Sequence, residues 1–402
     1  MHNRAPALRD QNPIFIPGPT NLPDSLRRAM NLPCSDHRAA DFADLLGPLL
    51  ADLKRIFKTG HGRVMLFPAS GTGGWEAAIS NSLSPGDRVL AARHGMFSQR
   101  WIDLCQRHRL EVEVIDCEWG SGAPADQFAA RLAADKRQAI KAVLVTHNET
   151  ATGVTSDVAA VRAAIDACDH PALLAVDCVS SLASMDFRMD EWGVDLAVSG
   201  SQKGFMLTTG MAIVAASEKA MAAGAAARLP RCFFDFAEMA AANDRGSYPY
   251  TPPLQLLHGL RASLDLLLDE GLENVFARHR RIADGVRAAV AGWGLALCAH
   301  SPELYSDTVS AIRVPPGFDA TALTDHAHSA YGVSFGIGLG QLAGRAFRIG
   351  HLGAMSDVMA LCGLATIEMA MADLDYPIEL GAGVAAAQQH YRQTRDRQRA
   401  AA

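Results

Sequence analysis

From Val64 onward the chain alternates short apolar segments with amphipathic ones, and this alternation limits the possible folds more than any other feature. The segments RVMLFPAS, DRVLAA, EVEVID, IKAVLVTHNE, ALLAVD, DLAVSGS and GMAIVAAS read as strands. Between the earlier ones lie helical stretches: GWEAAISNSL, SQRWIDLCQRH, ADQFAARLAAD and SDVAAVRAAIDAC. Strands that are apolar on both faces need cover on both faces, and crossovers of helical length supply it. The pattern therefore predicts an α/β unit with a mostly parallel sheet between helices. Ligands of such a sheet collect at the carboxyl ends of its strands.

The 402 residues, 49% hydrophobic, exceed what one compact unit usually holds, so two domains are expected. After the helical run TPPLQLLHGLRASLDLLLDEGLENVFARHRRIADGVRAAV come shorter strands, VSAIRV and RAFRIG, and helices around TALTDHAHSAY and MSDVMALCGLATIEMAMADL. These read as a smaller α+β unit. The expected division is an N-terminal arm at 1–17, a large domain at 18–265 and a small domain at 266–402. PIFIPGPTNLP packs four prolines and a glycine into eleven residues, which predicts an extended arm lying across a partner subunit, with a disordered tail as the other reading of the first ten residues. The Ala/Gln/Arg-rich tail after Gly383 reads as a surface helix that frays.

Composition excludes some classes. With 37 basic and 43 acidic residues the formal charge is −6, and no Lys/Arg block is long enough to follow a phosphate backbone, which argues against nucleic acid. The eight cysteines form no CxxC pair or zinc spacing, and no basic stretch followed by an apolar segment opens the chain; a reduced, cytoplasmic protein is expected. No apolar run reaches the roughly 20 residues that span a bilayer. There is no HExxH, no GxSxG and no close His/Cys/Asp cluster, so neither a metal site nor a serine-hydrolase elbow is expected.

The chemistry centres on Lys203 in DLAVSGSQKGFML. It is the only charged residue between Ala197 and Ala216, and a desolvated lysine has the lowered pKa that a Schiff-base nucleophile needs. Asp177 closes the strand ALLAVD; it either caps the following turn or faces a protonated pyridine nitrogen. Ser70, Gly71, Thr72, Gly73 and Gly74 follow a strand and open a helix, where backbone N–H groups can hold a phosphate or simply make a tight turn. The segment has neither a P-loop ending nor a GxGxxG spacing, so a monophosphate suits it better than a nucleotide. Phe97 can stack on a planar cofactor or fill the core. His147, Asn148, Glu149, Thr150 and Thr152 form a polar cluster at a strand end, where both ligands and turns are found, and Arg348, interrupting an apolar strand, is either a clamp for an amino acid carboxylate or a surface arginine on an edge strand.

The segments IPGPT, DHR at Asp36–Arg38, FPASGTGGWEA, HNETATGV, AVDCVSS, SGSQKGFM, YPYTPP and FRIGHLG together resemble the class V, fold-type I pyridoxal phosphate aminotransferases of the serine/alanine-glyoxylate group, over nearly the whole chain. The resemblance implies a large domain with a mostly parallel seven-stranded sheet between helices, and a smaller C-terminal α+β domain. It further implies that Lys203 carries pyridoxal 5'-phosphate and Asp177 faces its ring nitrogen. Thr72, Gly73 and Gln202 would hold the phosphate, Phe97 would stack on the ring, and Thr150 would lie near the phenolic oxygen. Arg348 would bind the substrate carboxylate, and Tyr248 and Thr251 would reach a neighbouring subunit's phosphate in a homodimer or higher oligomer. Amino acids and 2-oxo acids are the implied substrates, with glyoxylate as acceptor and L-aspartate as the expected donor, its side chain read by Arg38 or His37. L-serine is the alternative donor. More distant readings are a pyridoxal phosphate lyase and a nucleotide-binding α/β protein without that cofactor.

Overall fold

The computed structural model describes residues 12–399. The expected strands form a seven-stranded sheet: β1 (Arg63–Phe67), β2 (Arg88–Arg93), β3 (Glu111–Asp116), β4 (Ile140–Thr146), β7 (Leu173–Asp177), β8 (Leu196–Gly200) and β9 (Ala212–Ala216), with β5 (Asn148–Glu149) and β6 (Val154–Thr155) making a separate small hairpin. The order is β1-β9-β8-β7-β4-β2-β3. Neighbours from β8 through β3 run parallel, while β9 is antiparallel to both β8 and β1. Strands β7, β8 and β9 are buried at every position, as their uniform apolar runs require.

Glycines let the helix Gly71–Ser80 lie close against this sheet: a Cβ on Gly74 would come within 2.5 Å of Val198 Cγ1 in β8. The core of this body extends to Val275. A second core begins at Ile282 on the helix Leu272–Gly292 and fills the space beneath an antiparallel sheet of order β10-β11-β13-β12. Those strands are β10 (Ala296–Leu297), β11 (Val309–Arg313), β12 (Gly336–Ile337) and β13 (Ala346–Gly350).

The described part of the arm lies on its own chain: Phe15 stacks on Phe335 with ring centroids 5.4 Å apart, donates its N–H to the Ser334 carbonyl at 2.8 Å and accepts from the Gly350 N–H at 2.6 Å. An apolar ring at that position is buried by the nearest apolar groove, here in the second core; the expectation for the first ten residues lies outside the described ones. The tail is also docked. The helix Ala382–Arg399 buries Ala387 and Tyr391 against Leu272–Gly292, where Gly285 leaves room for the Tyr391 ring, and Tyr391 donates its hydroxyl to the Ile282 carbonyl at 3.0 Å.

Candidate active site

Strand direction brings distant segments together. β1 and β8 are both antiparallel to β9, so they share a carboxyl end with β7, β4 and β2. At that edge lies a cavity of ≈ 270 Å³. Asp177 at the end of β7, Lys203 and Gln202 in the turn after β8, and Ser70, Gly71 and Thr72 after β1 all line it. Phe97 from the helix after β2 and Thr150 from the β5–β6 turn complete the wall.

Lys203 and Asp177 are each under a tenth exposed, and burial moves them in opposite senses. Desolvation lowers the Lys203 ammonium to about 8, helped by the nearby Arg348 charge and opposed by Asp177. It raises the Asp177 carboxyl to about 7; the Val179 backbone N–H, which donates to Oδ1 at 2.9 Å, opposes this, the Glu149 charge adds to it, and Lys203 opposes it. Lys203 Nζ donates to the Pro17 carbonyl, and Gly18 fits beside it only as glycine: its φ is +120°, and a Cβ there would stand 2.5 Å from Nζ. Thr20 fastens the same turn, its N–H donating to the Gln202 carbonyl at 3.2 Å and its hydroxyl to the Lys203 carbonyl at 3.3 Å.

The helix Gly71–Ser80 opens onto the cavity. Ser70, its N-cap, makes no side-chain cap, so the first amides are left for an anion. Gln202 Oε1 is buried there without a partner. Gly73 packs instead against Ala69 and Phe234 and does not line the cavity.

Glu149 holds the second helix in place: its buried carboxylate accepts the N–H groups of Phe97 at 3.1 Å, Ser98 at 2.9 Å and Ala151 at 3.1 Å, an acid at a helix N-terminus. Thr150 donates its hydroxyl to Ser180 Oγ at 2.8 Å. Arg348, on β13, stands behind Thr150 and does not itself line the cavity; Nε donates to the Ile337 carbonyl at 2.9 Å and Nη1 to the Thr150 carbonyl at 3.2 Å. Burial lowers Arg348 to about 10. His147 is structural: it bonds Ser181 Oγ at 2.8 Å and packs between Phe187 and Trp192, and burial lowers it to about 4.

Some expected residues are not brought here. Arg38 and His37 lie on an outer turn, Arg38 exposed with its N–H on Asp36 Oδ1 at 2.9 Å, and neither lines the cavity. Tyr248 is buried and donates its hydroxyl to the Leu66 carbonyl of β1 in its own chain, while Thr251 is exposed. Sequence reasoning missed Arg100, which lines the cavity one helical turn beyond Phe97; the i, i+3 spacing in MFSQRW is the signal that could have revealed it. A larger groove of ≈ 760 Å³ at the amino end of β1, lined by Lys54, His61, Arg63 and Asp244 among others, contains no comparable buried lysine and acid pair.

These residues fit pyridoxal phosphate: an uncapped helix start suits the phosphate, a buried carboxyl suits the ring nitrogen, and a desolvated lysine suits the aldehyde. Fold and site together define a fold-type I pyridoxal phosphate enzyme. The family model described as aminotransferase class-V matches residues 35–318, and the chain belongs to that family. It is 64% identical to the L-aspartate–glyoxylate aminotransferase of Paracoccus denitrificans over 96% of this chain and 98% of that one. It is 57% identical to the serine–glyoxylate aminotransferase of Hyphomicrobium methylovorum over 94% of each. Among solved structures, ureidoglycine-glyoxylate aminotransferase from Bacillus subtilis superposes with a TM-score of 0.89 at 26% identity, covering 98% of this chain and 100% of that one.

Proposed function

We propose that the protein transfers the amino group of L-aspartate to glyoxylate, giving oxaloacetate and glycine, in two half-reactions at one site. The observation that carries the reading is the buried Lys203 and Asp177 pair across a cavity that opens on an uncapped helix start. The 64% identity to an L-aspartate–glyoxylate aminotransferase supports this donor; the 57% identity to a serine–glyoxylate aminotransferase keeps L-serine as the second reading.

Pyridoxal phosphate, when bound, withdraws electrons from the donor's α-carbon and carries the amino group from one half-reaction to the next. The amides of Gly71 and Thr72, the hydroxyls of Ser70 and Thr72, and Gln202 would hold its phosphate, Phe97 and Thr150 would flank its ring, and Asp177 would hold the ring nitrogen's proton. Lys203 Nζ takes the proton from the donor's α-carbon and, in the second half-reaction, returns one to the α-carbon that becomes glycine. Burial lowers that amine to about 8, so more of it is uncharged near neutral pH than of an unperturbed lysine. Arg348 offers its remaining guanidinium edge to the α-carboxylate shared by donor and acceptor. Glyoxylate has no side chain and asks nothing more of the pocket. Ping-pong kinetics follow.

The proposal includes a cytoplasmic homodimer or higher oligomer. All eight cysteines are free, three of them exposed, which suits a reducing compartment, and sedimentation of the holoenzyme tests the assembly, a monomer counting against it. The donor is tested by comparing kcat/KM for aspartate, serine, alanine and glutamate at fixed glyoxylate. Aspartate is expected to lead; a preference for serine would move the assignment to the second reading.

A further inference from the structure

We infer that Arg100 reads the side-chain carboxylate of the amino donor and so determines that the site takes a dicarboxylic amino acid; this rests on the aminotransferase reading above. Arg100 lines the same cavity as Lys203 and Asp177. Arg100 is exposed, and its guanidinium carbon lies 5.4 Å from the Phe97 ring centroid, a contact that holds it over the ring. Among the described residues it forms no salt bridge and no hydrogen bond, whereas Arg348 is already held by the Ile337 and Thr150 carbonyls. The acid that acts on Arg348, Glu149, is spent on the amides of Phe97, Ser98 and Ala151.

The site therefore holds more positive charge than its own side chains neutralise. Arg100 and Arg348 are close enough that the charge of the first depresses the second, and that of Arg348 in turn depresses Lys203. Arg100 meets water while Arg348 is buried, so their repulsion is partly screened, and an anion that reaches both guanidinium groups is favoured. An α-carboxylate at Arg348 satisfies one guanidinium and leaves Arg100 open. A second carboxylate on a short side chain satisfies the other, and the planar donor fork of Arg100 suits it in two-point contact. Serine, alanine and glyoxylate offer nothing to that group. Glu149, by fastening the first turn of Met96–Arg107, fixes the helix that presents Arg100.

The test uses the holoenzyme and its Arg100→Gln and Arg100→Lys variants. Calorimetric titration with succinate, a dicarboxylate that cannot be transaminated, is compared with propionate. Arg100→Gln is expected to weaken succinate about 10- to 100-fold, the scale of a charged hydrogen bond, with propionate changed less than about twofold. Arg100→Lys recovers part of the loss. In turnover, Arg100→Gln lowers kcat/KM for aspartate by the same factor, leaving serine, alanine and the KM for glyoxylate nearly unchanged and the cofactor bound. Unchanged succinate affinity, parallel losses for aspartate and serine, or loss of cofactor would each overturn the inference. A wild-type preference for serine would instead overturn the donor assignment, and because succinate binding needs no turnover it judges Arg100 separately.

Discussion

Lys203 and Asp177 are displaced from their ordinary pKa values by one cause, the removal of water, and the cofactor-free chain bears the consequence of holding both. The Asp177 carboxyl, raised from 3.8 to about 7, binds its proton more tightly in the folded chain than in the unfolded one. This contribution to stability is fully present below pH 4 and is lost as pH rises through 7. Asp177→Asn removes the buried charge. The cofactor-free variant should melt at a higher temperature than wild type at pH 8, by at most about 4 kcal/mol of unfolding free energy, and should differ little at pH 4. Its turnover should fall far more than its cofactor occupancy, because the ring nitrogen loses its partner while the phosphate keeps its amides. Scanning calorimetry at the two pH values, with kcat of the reconstituted enzyme, checks both parts; equal melting shifts at pH 4 and 8 would contradict the role of burial.

At the scale of elements, small residues set how closely helices approach their neighbours. Gly74 lets the helix Gly71–Ser80 sit on Val198, and Gly285 lets the terminal helix place the Tyr391 ring against Leu272–Gly292. A methyl at 285 would overlap that ring, and Arg281 adds a hold on the same helix through the Tyr391 carbonyl at 3.1 Å and Thr394 Oγ1 at 2.8 Å. Gly285→Ala should cost about 1 to 3 kcal/mol by overpacking. The double variant Gly285→Ala, Tyr391→Ala should be no less stable than Tyr391→Ala alone, since the clash is gone. Urea unfolding of the three variants measures this. Additive losses would mean that Gly285 acts through something other than the ring.

For the whole molecule, the arm joins two cores. Phe15 belongs to the second core, while Pro17, Gly18 and Thr20, a few residues on, touch the Lys203 turn of the first. Phe15→Ala should destabilise by about 3 to 5 kcal/mol, the usual cost of removing a buried aromatic ring. Val358→Ala, at a position 77% exposed, should stay within about 0.5 kcal/mol and serves as the control. The loss should also raise the rate at which cofactor leaves, because the segment that accepts the Lys203 amine is anchored through Phe15. Cofactor release followed by its absorbance after dilution tests the coupling, and an unchanged rate beside a large stability loss would break it.

What could be read from the sequence alone was local. Strand and helix periods follow from which faces must be buried, so the sheet strands were legible. Lys203, Asp177, Thr150 and the Ser70–Thr72 turn stood out because each sits at the end of an apolar run, and parallel strands carry such ends to one edge. Tertiary structure decided everything that depends on which distant segments meet. Arg100 is an ordinary helical arginine until its helix faces the cavity, Tyr248 keeps a suggestive spacing yet turns its hydroxyl into β1, and Arg38 and His37 stay outside. The seat of Phe15 is made by Phe335 and Gly363, which leave a groove for it that no pattern within residues 12–23 encodes. Periodicity reports the environment of a face, whereas a side chain's partner depends on packing between elements far apart in the chain.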